Sequence, residues 1–126
     1  MGLTIKEVSE KFNIPSETLR YYERVGVIPP VTRTASGIRN YQEGDLAWVE
    51  NAKCFRAAGL SIEALIEYLK LYSEGNSTFQ ARLDLLNEQR AILLAQQKQL
   101  VETLDRLDYK ISKYESAVKT GKLTWD

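Results

Sequence analysis

Residues 19–41 read LRYYERVGVIPPVTRTASGIRNY and hold Arg20, Arg24, Arg33 and Arg39 with Tyr21, Tyr22 and Tyr41, against the single acid Glu23. A guanidinium presents five donors in a planar fork that matches phosphate oxygens, and a phenol adds a hydroxyl beside an apolar ring. Four arginines and one glutamate leave a local surplus of three positive charges, in a chain whose 17 basic and 17 acidic residues cancel. Charges are screened beyond about 8 Å at physiological salt, so the local surplus counts for more than the neutral total. The chemistry expected here is the grip of a polyanionic backbone.

Other chemistries find little support. The chain has no histidine, which removes the commonest general base and metal ligand, and Cys54 is its only thiol. Its seven glycines stand singly, with no phosphate-cradling loop. Acidic residues fall on expected helix surfaces opposite lysines and arginines, the pattern of solvated faces. No enzyme, metal or cofactor is expected. No run of about 18 apolar residues could span a membrane. The opening MGLTIKEVSEKF lacks the apolar region of a secretory leader. A single cysteine fits a reducing cytoplasm, the expected location.

The elements that must position the basic stretch can be read from local signals. Thr4 and Glu7 have capping-box spacing, and Ile5, Val8 and Phe12 give a short helix one buried stripe. Asn13 breaks that helix; Ser16 is a good N-cap for a second, which turns Leu19 and Tyr22 inward and stops at Gly26. Two short helices joined by a tight turn make a helix-turn-helix pattern. Pro29 and Pro30 then forbid helix, and the TASG turn between VTR and IRNY predicts a small two-stranded hairpin, or wing. A third helix is expected from Glu43–Asp45 to Gly59, burying Leu46, Val49, Ala52 or the stem of Lys53, and Phe55. Ser61 caps a fourth, presenting Leu65, Ile66, Leu69 and Tyr72 before SEGNS interrupts.

From Phe79 the periodicity is the clearest in the chain. Steps of four and three land on Leu83, Leu86, Arg90, Leu93, Gln97, Leu100, Leu104, Leu107, Ile111, Tyr114 and Val118. Ten of these twelve positions, Phe79 included, are apolar or aromatic, and neither proline nor glycine intervenes before Gly121. A 3.5-residue repeat held over more than five heptads predicts a coiled coil about 60 Å long. A lone helix cannot bury so long a stripe on a core of about 75 residues, so a homodimer is expected, with Leu83, Leu86, Leu93, Leu100, Leu104, Leu107 and Ile111 as its seam. Arg90 and Gln97 either fix register or mark where the helices diverge. The expected fold is mainly α: a winged helix-turn-helix over residues 1–75, then a coiled-coil helix and short tail over 76–126.

TIKEVSEKFNIPSETLRYYERVGVIPP, Arg33-x-x-x-Gly37-Ile38-Arg39-x-Tyr41, Asp45-Leu46 and AAGLSIEAL together resemble the MerR family of bacterial transcription regulators, over about residues 3 to 70. The resemblance implies a bacterial regulator that places its second helix in the major groove of double-stranded promoter DNA and pairs two protomers by an antiparallel coiled coil. It implies too that the dimer distorts the promoter spacer and so realigns it for RNA polymerase. Ser16, Glu17 and Thr18, at the start of the second helix, are then placed for base edges or phosphate, and Arg20 and Tyr21 for phosphates. Arg39 and Tyr41 correspond to the family's phosphate-contacting wing, and Arg33 leans the same way. Tyr22 is expected in the core. Arg24 is left between a phosphate and an ion pair with Glu23 or Glu50.

Metal sensors of the family carry cysteines around the coiled coil, and neither cysteine nor histidine occurs there in this chain. Drug sensors append a large domain, and iron–sulfur members need several cysteines. Cys54, in ENAKCFRAAG, resembles the sensor of the family's short thiol-based branch, which answers aldehydes, quinones and other electrophiles. The competing reading makes Cys54 an inert small core residue, and the protein a DNA architectural or coiled-coil interaction module.

Overall fold

The structure, a computed structural model, describes residues 2–126. Five α-helices account for most of it: α1 (Ile5–Phe12), α2 (Ser16–Val25), α3 (Glu43–Ala57), α4 (Ile62–Ser73) and α5 (Phe79–Thr120). The chain divides into two compact units, Met1–Gln89 and Arg90–Asp126.

In the first unit α1 packs against α2 and α3. Its start is the expected capping box: the Thr4 hydroxyl accepts from the Glu7 amide at 3.1 Å, and the Thr4 amide donates to the Glu7 carboxylate at 2.9 Å. Asn13, left-handed at φ 54°, ends the helix. Gly26, at φ 91°, ends α2 in a conformation that a side chain would oppose. The core gathers Val8, Leu19, Ile28, Tyr41 and Val49, all within 2% of complete burial. Helix α3 buries Val49 and Ala52; Lys53 is exposed, and Phe55 remains partly exposed beside a cavity. The Ser61 hydroxyl caps α4 by accepting from the Ala64 amide at 3.1 Å. A 3-10 turn, Asn76–Thr78, joins α4 to α5. Arg82 fastens that joint, donating to the Gly75 carbonyl and the Thr78 hydroxyl and stacking over Tyr72 and Phe79.

The expected two-stranded wing is reduced to a turn closed by one bridge. Arg33 pairs with Arg39 alone, around a tip where the Gly37 amide donates to Thr34 and the Thr34 amide to Ile38. Pro29 and Pro30 lack donors on one side. On the other, Tyr41 leaves the hairpin and exchanges two backbone hydrogen bonds with Leu3 at 2.8 and 2.9 Å. Neither arm keeps enough unpaired backbone to extend the ladder.

In the second unit α5 runs on to Thr120, and Gly121 (φ 78°) turns the tail back. The Trp125 ring meets Tyr114 edge-on at 5.9 Å and lies 6.4 Å from Tyr109. The Tyr109 hydroxyl donates to the Trp125 carbonyl and the Lys113 ammonium to that of Asp126. No residue of α5 is buried within the chain. Among the expected seam residues Leu93 is half-buried, and Leu83, Leu86, Leu100, Leu104, Leu107 and Ile111 are 44–64% exposed. No helix among the described residues is long and apolar enough to cross a membrane.

Candidate nucleic-acid interface

Helix α2 has two faces with different fates. Leu19 and Tyr22 are buried, as expected, and fix the helix against the core. Glu17, Arg20, Tyr21 and Arg24 point outward and are exposed, while Ser16 and Thr18 are half-buried. The Arg24 guanidinium lies over the Tyr21 ring, 5.4 Å from its centroid, and pairs with neither Glu23 nor Glu50. Arg20 makes no ion pair among the described residues.

Ser16 is not the cap of α2. Pro15, at φ −55° and ψ 142°, occupies that position, and Ser16 is the first helical residue. A proline side chain has no acceptor to offer, so the first-turn amides of α2 lack the side-chain cap that α1 possesses. That end carries partial positive charge and free donors, an arrangement that favours an anion.

Behind α2 lies the contact that ties the helix to the hairpin. The Glu23 carboxylate accepts from the Val31 amide at 2.9 Å and from Arg39 Nε at 2.7 Å, and stands 3.7 Å from an Nη of Arg33. Burial by itself would raise the Glu23 pKa; the hydrogen bonds from Arg39 and Val31 and the charges of both arginines outweigh it, and the group sits below its ordinary value. Arg33 also donates to the Gly37 carbonyl at 3.0 Å, bracing the turn. Sequence reasoning missed this role for Glu23. The signal was there: it is the only acid among four arginines.

Tyr41 corrects the expectation of a surface phosphate ligand. Its ring is fully buried and its hydroxyl has no hydrogen-bond partner among the described residues. Arg39 and Tyr41, two apart in extended chain, share the side that meets Glu23 and the core, while Ile38 stands exposed. Burial raises the Tyr41 pKa. The ring supports the hairpin from beneath, and Arg33 and Arg39 remain at its surface.

Cys54 is exposed on α3 rather than packed in the core. Its neighbour Phe55 lines a cavity of about 200 Å³ in the first unit, together with Trp48, Leu60, Leu65, Tyr68 and Leu86. Trp48 meets Tyr72 edge-on at 5.1 Å, an aromatic contact between α3 and α4 that no local pattern announces. No group of three metal-ligating side chains occurs among the described residues.

Comparison with known proteins agrees with this layout. The MerR HTH family regulatory protein pattern matches residues 3–71, and the MerR DNA-binding pattern matches residues 46–109. The HTH-type transcriptional regulator AdhR of Bacillus subtilis is 53% identical over 92 residues, which are 73% of this chain and 66% of AdhR, so the match spans just under two thirds of that relative. A MerR family transcriptional regulator from Listeria monocytogenes superimposes with a TM-score of 0.89 at 47% identity, over 94% of this chain and 90% of the other. HiNmlR, a MerR family regulator lacking the sensor domain and solved bound to promoter DNA, superimposes with a TM-score of 0.86 at 30% identity, over 97% of both chains. These relatives are named as regulators of transcription, not as enzymes. With its two short helices, tethered hairpin and long terminal helix, this chain belongs to the MerR family of DNA-binding HTH transcription regulators.

Proposed function

We propose that this regulator binds promoter DNA as a homodimer, with α2 of each protomer in a major groove, and acts by distorting the spacer between the promoter's polymerase elements. Ser16, Glu17 and Thr18 meet base edges and the first phosphate. Arg20 and Tyr21 hold the backbone beside the groove, and Arg33 and Arg39 hold it from the hairpin. Supporting the reading above all is the outward face of α2: exposed Arg20 and Tyr21 and an uncapped first turn, on a helix pinned by buried Leu19 and Tyr22. The likeness to a regulator solved on promoter DNA points the same way.

Support for the dimer comes from α5, whose seam residues Leu83, Leu86, Leu100, Leu104, Leu107 and Ile111 all stay substantially exposed within the chain. Two DNA-binding units joined by a stiff coiled coil hold both ends of one site. Deformation of the DNA between them is then set against many phosphate contacts. RNA polymerase reads the realigned elements. Cys54 supplies the signal: its thiolate adds to the carbonyl carbon of an aldehyde or to a ring carbon of a quinone. The π bond there opens towards oxygen, that oxygen takes up the proton the thiol lost, and the adduct alters α3. Its exposure supports reaction with a solute over an inert place in the core.

The test is a DNA-binding titration over a range of salt concentrations. Arg20→Ala is expected to weaken promoter and unrelated duplex alike by about tenfold and to lower the salt slope by about one. Thr18→Ala is expected to change the order of preference among sequences. Unchanged affinity and slope for Arg20→Ala would remove α2 from the interface. Binding without sequence preference would favour an architectural protein.

A further inference from the structure

Glu23 is a puzzle for the reading above, on which this inference rests. A carboxylate set beside a phosphate-binding surface repels the ligand, and by charge alone its removal should tighten DNA binding. The geometry points to the opposite effect: we propose that Glu23 is a positioning residue that mounts Arg39, and with it the hairpin, for contact with DNA phosphate.

Three observations carry this. Arg39 is held through Nε, at 2.7 Å from one Glu23 oxygen, and neither of its Nη atoms donates a hydrogen bond to another described residue. The guanidinium is therefore fixed at one edge and open at the other, its side chain 23% exposed above a carboxylate that is only 11% exposed. The second Glu23 oxygen accepts from the Val31 amide and faces Arg33, so one side chain of α2 clamps both arms of the hairpin. A flexible arginine loses rotamer freedom when it binds phosphate; one already held by its Nε has lost most of it beforehand. A planar fork can be gripped at Nε while presenting two further donors in the same plane, and no other side chain has that geometry. Because the clamp starts from α2, the hairpin contact and the groove contact are set in register by a single carboxylate.

Binding of the full chain to a random-sequence DNA duplex is the measurement, because phosphate contacts carry no sequence information. Arg39→Ala is expected to weaken binding about tenfold and to reduce the salt slope by about one. Glu23→Gln keeps an oxygen for the Val31 amide but removes the ion pair. It is expected to weaken binding by a similar factor despite deleting a negative charge, and to add nothing further when combined with Arg39→Ala. If Arg39→Ala weakens binding while Glu23→Gln matches or exceeds wild type, the positioning role is wrong and the hairpin contact stands. If Arg39→Ala itself changes nothing, the hairpin contact fails, and the mount with it. Should Glu23→Gln not fold, Arg39→Lys decides: it keeps the charge and loses the fork, and is expected to bind within about threefold of Arg39→Ala. Wild-type affinity for Arg39→Lys would overturn the proposal.

Discussion

Helices α2 and α5 are both displayed at the surface, for opposite reasons. Of the ten residues of α2, Leu19 and Tyr22 are buried in the chain's own core, and they fix which side chains are left outside. Of the forty-two residues of α5, none is buried. The exposed face of α2 is polar and finished. The exposed stripe of α5 is apolar and lacks a partner surface, and burial of about 25 cal/mol per Å2 of such surface is available to whatever covers it. A short helix pinned from behind is a presenting element, whereas a long helix held by its own chain only near its start is an assembling one.

The contrast breaks most sharply at the seam. Leu100→Asp combined with Leu104→Asp puts carboxylates into the proposed interface, where an unpaired charge costs several kcal/mol. Sedimentation is expected to show monomer, and promoter affinity to fall by more than about a hundredfold, since joint binding of two half-sites is lost. A double variant that stays dimeric with full affinity would show that another surface assembles the protein. On the α2 side, Leu19→Ala hollows a fully buried site and is expected to cost about 2–5 kcal/mol in urea unfolding. A loss under about 1 kcal/mol would mean that the core does not pin the helix.

Smaller effects sharpen the picture. The pKa of Glu23 is lowered in the folded chain, so its ion pairs stabilise fully above the ordinary value of 4.5 and less as pH falls through the folded value. The stability difference between wild type and Glu23→Gln is expected to be flat at neutral pH and to shrink below pH 4.5. A difference that is unchanged in acid would dissociate Glu23 from the ion pair. Smallest of all, Cys54→Ser at an exposed position is expected to shift stability by less than about 0.5 kcal/mol and to leave promoter binding intact. Under the thiol reading the same variant no longer activates transcription when cells meet an aldehyde or quinone. Activation equal to wild type would leave the regulator with a signal other than this thiol.

What could be read in advance was local. The Thr4–Glu7 box, the stop at Gly26 and the Ser61 cap each depend on residues within a few positions of one another, and all three stand in the structure. The stripe of α5 was legible for a related reason, since periodicity needs no knowledge of what lies opposite. The misreadings were tertiary. Ser16 has the right chemistry for a cap, but Pro15 already supplies the extended backbone that precedes the helix. Tyr41 sits among surface arginines in sequence, yet its backbone pairs with Leu3, and that pairing carries the ring into the core. The role of Glu23 depends on Val31 and Arg39, eight and sixteen residues away, beyond the reach of any local pattern.

Gly121 has a further use beyond ending a helix. By turning the tail it brings Trp125 against Tyr114 and Tyr109, while the chain's other tryptophan, Trp48, packs with Tyr72 in the first unit. Each compact unit thus carries one indole of its own. With Trp48→Phe the remaining tryptophan emission comes from the second unit alone, and with Trp125→Phe from the first unit alone. The molecule is a pair of separately addressable optical probes, able to report without any added label whether its two parts melt together or in turn.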